Sequence, residues 1–162
     1  MSYPDIVPCK SPNYRKCKID RLVTCVVIHA TATSGLESPK EWLCDPASQV
    51  SAHFLLDVDG TIYQLVDEND IAWHAGVSEW GGKQNVNDFS IGIELVNAND
   101  GKMPYPESQL KSLVGLVADI CEFHNITASD VVGHLDIAPG RKTDPANFPW
   151  SDFRMDLVSQ EA

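Results

Sequence analysis

Apolar residues in this chain fall into a few short runs and one long helical stripe. Leu22–His29, LVTCVVIH, is apolar and β-branched almost throughout. Val23, Cys25 and Val27 would face one side and Val26 and Ile28 the other, which predicts a strand covered on both faces. Phe89–Asn97, FSIGIELVN, reads as a second buried strand, with a carboxylate, Glu94, in its middle. Ser51–Val58 and Thr61–Val66 flank the turn dipeptide Asp59-Gly60 and predict a β-hairpin. Leu110, Leu113, Val114, Val117, Ile120 and Cys121 recur at helical spacing and predict a main helix from Pro106 to Asn125. Ser38 as N-cap, Pro39 at the first position and Glu41 at the third predict a short helix that stops near Asp45-Pro46. Val131-Val132 reads as a short strand, and Phe148–Val158 as a last helix packing Trp150, Phe153 and Leu157.

Residues 1–21, rich in Pro, Lys and polar groups, read as an irregular arm on the surface of one domain spanning 22–162. A length of 162 residues with 43% hydrophobic content suits one domain with a real core. Nothing is apolar enough for long enough to cross a bilayer. Met1–Asp5 has neither a basic start nor an apolar segment, so no secretory signal is expected. A net charge of −11 excludes binding to nucleic acid or an anionic membrane by charge. The five cysteines, Cys9, Cys17, Cys25, Cys44 and Cys121, are odd in number and read as reduced thiols. Cys25 and Cys121 sit in apolar patterns; Cys9 and Cys17 leave open a bridge or a metal pair.

The chemistry concentrates in Val132–Pro145, VGHLDIAPGRKTDP. Charged groups are seldom buried unless they pair or bind metal. His134 and Asp144 are read as two ligands of a catalytic zinc, with His29 as the third, where a buried strand ends in a small-residue loop. Taken alone, His29 also fits a histidine satisfied by a backbone carbonyl. Glu94 fits either a structural ion pair or a base acting on water, and Gly92 on the same face would leave room for a ligand. Lys142 would present a positive charge to the cleft. Trp73 and Trp80 suit either a sugar or peptide cleft wall or hydrophobic lids over a loop. His124, in the last turn of the main helix, suits the helix dipole and is assigned no function.

Five blocks then resemble one family. They are Val27-Ile28-His29; Ser51-Ala52-His53-Phe54 with Asp59-Gly60; Trp73–Ser78, WHAGVS; Asn87–Leu95, NDFSIGIEL; and Gly133–Pro145. Their order and spacing over Leu22 to Trp150 are similar to the zinc-dependent N-acetylmuramoyl-L-alanine amidases of the type 2 family. Phage lysozyme-type amidases and peptidoglycan recognition proteins are relatives of that family. The resemblance implies a mixed α/β fold, a single domain with a central mixed β-sheet flanked by helices and the zinc cleft at one edge of the sheet. It implies cleavage of the amide between the lactyl group of N-acetylmuramic acid and L-alanine of the stem peptide. His29, His134 and Asp144 match the family's ligands for one Zn2+, and Glu94 and Lys142 its catalytic pair. His74, Asn87 and Arg141 look like substrate contacts, as does His53, at a position often tyrosine in relatives. Arg141 would form a fork with a substrate carboxylate.

The blocks WHAGVS, NDFSIGIEL and RKTDP resemble cytoplasmic amidases that recycle 1,6-anhydromuramyl peptides, while SPKEWLCDPASQVSAHF resembles phage endolysins. The leading expectation is an endolysin-like, antimicrobial wall-lytic enzyme, with the recycling enzyme as the alternative. Either is expected to be a monomer made in the cytoplasm, the lytic form leaving through a holin-type pore. Two non-enzymatic readings remain: a peptidoglycan-binding module, and a regulator of another protein built on the amidase fold.

Overall fold

The structure, a computed structural model, describes residues 6–160. The expectation about Met1–Asp5 falls outside them. Strands run β1 (Ile6–Pro8), β2 (Tyr14–Arg15), β3 (Cys25–Ala30), β4 (Phe54–Leu56), β5 (Ile62–Gln64), β6 (Ile71–Ala72), β7 (Glu79–Trp80), β8 (Lys83–Gln84), β9 (Ser90–Leu95) and β10 (Val131–Gly133). Helices are α1 (Glu37–Cys44), α2 (Glu107–His124), α3 (His134–Ile137) and α4 (Trp150–Gln160).

Six strands form the central sheet in the order β1-β5-β4-β9-β3-β10, with small two-stranded sheets β2-β6 and β7-β8 beside it. Neighbours are parallel except β4 and β5, which make the expected hairpin, so the sheet is mixed. The hairpin turns where Gly60 takes φ +90, and a Cβ there would stand 2.7 Å from the Ser108 carbonyl oxygen.

Two apolar layers cover the sheet. On one face Val26, Ile28, Phe54, Leu56, Ile91, Ile93 and Leu95 pack against α2 and α4 through residues such as Leu113, Val117, Ile120, Phe153 and Leu157. On the other face Cys25 and Val27 pack with Ala75, Val86, Val132, Ile137 and Ala138. Leu55 and Val96 pack there with Leu43 of α1. His29 and Glu94 belong to this second face, because side chains alternate along β3 and β9. Both faces of β3 are covered, as its sequence predicts, but Val23 precedes the strand and joins the first layer with Val26 and Ile28.

Two expectations are corrected. The N-terminal segment is not irregular throughout: β1 adds a parallel edge strand to β5, and β2 pairs with β6. Three-residue strands carry too little periodicity to be read from sequence. Helix α1 begins at Glu37, so Ser38 and Pro39 lie inside its first turn and Ser38 is no N-cap. The chain is already helical at Leu36, whose carbonyl accepts from the Lys40 N–H at 3.1 Å. His124 lies in the last turn of α2, as expected, and its Nε2 also contacts Glu68 Oε2 at 3.0 Å.

The N-terminal segment is fastened by buried polar groups. Asn13 is 3% exposed, and its amide Nδ2 donates to the Asp45 and Val50 carbonyls at 2.8 and 2.9 Å. Asn13→Ala would strip both carbonyls of that donor. It is expected to cost about 2 kcal/mol in urea unfolding, against about 0.5 kcal/mol for an exposed control substitution.

Candidate active site

The parallel strands β3, β9 and β10 all end on the same side, and the site is assembled there. His29 closes β3 and stands in register with Glu94 of β9. His134 follows β10 directly and opens α3, where the Asp136 carboxylate accepts from the Gly133 N–H at 2.7 Å. Asp144 returns on the loop after α3, and its carbonyl accepts from the Leu135 N–H at 3.0 Å. A cleft of about 450 Å³ opens over these residues. Its walls include Trp42 of α1, Trp73, Arg141 and Lys142.

Three electron-pair donors converge at its floor. His29 Nδ1 lies 3.0 Å from His134 Nδ1 and 3.4 Å from Asp144 Oδ2, and His134 Nδ1 lies 3.2 Å from the same oxygen. His29, His134 and Asp144 are all buried. Every other ring nitrogen of the pair is committed. His29 Nε2 meets His74 Nδ1 at 2.9 Å, and His134 Nε2 meets the Ala75 carbonyl at 3.1 Å. One tautomer set satisfies them all: His134 Nε2–H donates to Ala75, His29 Nε2–H donates to His74, and His74 Nε2–H donates to Ser90 Oγ at 3.0 Å. Both Nδ1 lone pairs then face the Asp144 carboxylate with no proton between them. Such a cluster calls for a cation. Tetrahedral zinc with ligand bonds of about 2.0–2.1 Å spaces its donors by roughly 3.3 Å, so the His-His-Asp triangle is compatible with a zinc site.

The protonation states suit a metal. Burial lowers His29 to about 4, against the pull of Asp144, so its ring is neutral at physiological pH. Burial, then the neighbouring histidines, hold His74 well below its ordinary value. Burial opposes charge on Asp144, but its close contacts with His134 and His29 outweigh it and keep the carboxyl well below the usual range. Glu94 moves the other way. Burial, reinforced by the charge of Asp144, raises it to about 8. Its Oε2 is buried with no hydrogen-bond partner, and no cation pairs with it among the described residues. Of the two readings of Glu94, the structural ion pair is therefore not what is found.

Several expected substrate contacts are placed otherwise. His53 is 0% exposed and outside the cleft; its Nδ1 accepts from the Gly92 N–H, and Nε2 contacts Arg21 and the Asp70 carbonyl, each at 3.0 Å. His74 touches the cleft, but His29 and Ser90 occupy both its nitrogens. Asn87 is not in the cleft; its Oδ1 accepts from the His74 and Ala75 N–H groups at 3.0 and 2.8 Å and fixes the loop that carries His74. Arg141 reaches the cleft edge with Nη2 already donating to the Ala75 and Val77 carbonyls. Gly92 makes room, as expected, but for a protein side chain: a Cβ there would stand 2.4 Å from the His74 ring. Trp73 lines the cleft, whereas Trp80 packs beneath β3 and donates to Asp130 at 3.1 Å. The contribution of α1, with Trp42 58% exposed beside Ser38 and Pro39, was missed. The one signal for it was a tryptophan on the polar side of a short helix.

The N-acetylmuramoyl-L-alanine amidase family model matches residues 20–147. The chain belongs to that family. The amidase is 36% identical to the 1,6-anhydro-N-acetylmuramyl-L-alanine amidase AmpD of Escherichia coli, over 93% of this chain and 91% of that protein. It is 40% identical to the E. coli N-acetylmuramoyl-L-alanine amidase AmiD, over 79% of this chain but only 51% of AmiD, so it spans about half of that relative. An AmpD crystal structure superposes with a TM-score of 0.83 at 31% identity, covering 96% of each chain. The endolysin amidase LysCS of Clostridium intestinale shares the fold, with a TM-score of 0.78 at 24% identity. The enzyme class and the mixed α/β fold expected from the sequence are thus borne out. Among the described residues no helix is long and apolar enough to cross a membrane.

Glu94 gives the metal-free amidase a pH signature. Its folded value, about 8, lies above the ordinary 4.5, so folding favours the protonated form. That stability is present below 4.5 and is lost as pH rises toward 8. In chelator-treated protein Glu94→Gln should raise Tm relative to wild type on the order of 5 °C at pH 8.5, with little difference at pH 4.5. Equal Tm differences at both pH values would contradict the burial of this carboxylate.

Proposed function

We propose that the amidase hydrolyses the amide joining the lactyl group of N-acetylmuramic acid to L-alanine of a stem peptide, using one zinc held by His29, His134 and Asp144. The observation that carries this reading is Glu94: a buried carboxylate oxygen without a partner, in register with His29 over a cleft. A metal held there would supply Lewis acidity and bring the pKa of a water toward ~7. Glu94 then accepts a proton from the attacking water and returns it to the departing L-alanine nitrogen, as its raised pKa suits. Lys142, at the cleft wall, offers its ammonium to the carbonyl oxygen as that gains negative charge. The products are a lactyl carboxylate and a peptide with a free amine. Arg141, at the cleft edge, is the remaining candidate for a substrate carboxylate.

His74 acts through His29. It accepts the His29 Nε2–H and passes the polarity on to Ser90, which fixes the tautomer that leaves Nδ1 free. It is a positioning residue rather than a substrate contact.

For the substrate we infer a soluble 1,6-anhydromuramyl peptide rather than intact wall. The relative matched over nearly its whole length is named for that compound. An AmiD structure, 36% identical to this chain, holds anhydro-N-acetylmuramic acid-L-Ala-D-gamma-Glu-L-Lys. The endolysin LysCS, at 24% identity, supports the fold alone. A net charge of −11 also opposes adsorption to an anionic wall. This reverses the order of the two substrate readings drawn from the sequence.

Mass spectrometry of products from a soluble anhydromuramyl tripeptide and from intact sacculi, with and without chelator, tests the proposal. Chelator-sensitive cleavage of the soluble compound alone is expected; release of stem peptides from sacculi would restore the lytic reading. Turnover of neither at saturating zinc would leave a binding module. Glu94→Gln should lower kcat by about 10³-fold and Lys142→Ala by about 10²-fold, both with zinc retained. His74→Ala should weaken zinc binding by about 10–100-fold in a competition with a chromogenic chelator.

A further inference from the structure

Away from the cleft floor two thiols face one another. Cys9 Sγ lies 3.6 Å from Cys44 Sγ, and the Cys44 thiol also reaches the Cys9 carbonyl at 3.7 Å. The sequence leaves Cys9 open to a bridge with Cys17; the structure sets it against Cys44 instead. The two are 35 residues apart, just beyond β1 and at the last residue of α1. Both are half-buried, so a small reagent can reach them.

The backbones around this pair are already tied together. The Cys9 N–H donates to the Gln64 carbonyl at 2.9 Å, extending the β1–β5 pairing. The Ser11 hydroxyl donates to the Leu43 carbonyl at 2.5 Å, and Asn13 holds the Asp45 carbonyl. Bonding the two sulfurs requires closing 3.6 Å to about 2.05 Å. The helix they would secure is a wall of the cleft: Ser38, Pro39, Trp42 and Leu43 line it, and Cys44 follows Leu43 directly.

We propose that Cys9 and Cys44 form an intramolecular disulfide that pins α1, and with it one wall of the substrate cleft, to the edge of the central sheet. The oxidant is a low-molecular-weight disulfide. Its S–S bond breaks as one protein thiolate attacks, releasing a first thiol; the other cysteine then displaces the second thiol and the Sγ–Sγ bond forms. Two protein thiols are oxidised, and the reagent is reduced to two thiols that take up the two protons lost. Burial, and then the hydrogen bond with Cys9, push the Cys44 thiol up to about 11; whichever sulfur attacks first, the other resolves the mixed disulfide. Cys25, pushed up to about 12 by burial, and the buried Cys121 are poor competitors.

The full chain is incubated with glutathione disulfide, quenched with a thiol-alkylating reagent, and read by intact mass, peptide mapping and thermal unfolding. None of these depends on the amidase assignment. Wild type should lose two hydrogens, give a Cys9–Cys44 linked peptide and gain about 5–10 °C in Tm, reversed by a reductant. Cys17→Ser should keep the link, and Cys44→Ser should lose both link and Tm gain. Hydrogen exchange should slow at the α1 amides in the oxidised protein. Glutathione adducts that never close, a link between Cys9 and Cys17, or a Cys9–Cys44 link without a Tm gain would each overturn the proposal.

Discussion

The convergence of His29 Nδ1, His134 Nδ1 and Asp144 Oδ2 within 3.0–3.4 Å sets the terms for everything around it. Lone pairs held this close in a buried place repel one another unless a cation sits among them. A chain that forms such a cluster must hold it by other means, and here the sheet does so. Parallel pairing of β3 with β9 and β10 brings three strand ends together, and the loop after α3 returns Asp144 to them. The first sheet face, packed on α2 and α4, supplies the apolar burial that stabilises the strands. The second face is apolar along most of its length and carries His29 and Glu94 at its strand ends.

That second face is built around one imidazole beyond the His-His-Asp cluster. The His74 ring occupies the space over Gly92 that any other residue would fill, and from there it holds His29 on one side and reaches Ser90 on the other. Asn87 fixes the backbone that delivers His74, and Arg141 ties down the next carbonyls of the same loop. Within the WHAG segment His74 thus supports His29, while Trp73 lines the cleft. The cleft wall opposite comes from α1, which is held in turn by polar groups from the N-terminal segment.

Much of this was legible in the sequence. The hairpin, β3, β9, α2 and α4 follow from periodicity and turn residues, because burial on one or both faces dictates which positions are apolar. The convergence of His134 and Asp144 with His29 was readable because histidines and an acid between prolines and glycines have few structural uses. Glu94 stood out as a charge inside an apolar strand. Less legible were β1 and β2, two or three residues long, whose order comes from partners 56 or more positions away. The α1 boundary was misplaced because local capping chemistry is weaker than the packing that decides where the helix begins.

The chain's own sequence therefore determined the fold class, the family and the His29, His134 and Asp144 cluster, since these rest on local pattern and on the cost of burying polar groups. Only the tertiary structure decided what the remaining polar residues do. His53, His74 and Asn87 have the composition of substrate contacts, yet each spends its hydrogen bonds on neighbours distant in sequence. Whether a polar side chain faces solvent or another side chain depends on contacts between strands and loops that no local pattern encodes. The same holds for Cys9, which lies eight positions from Cys17 in sequence but against Cys44 in space.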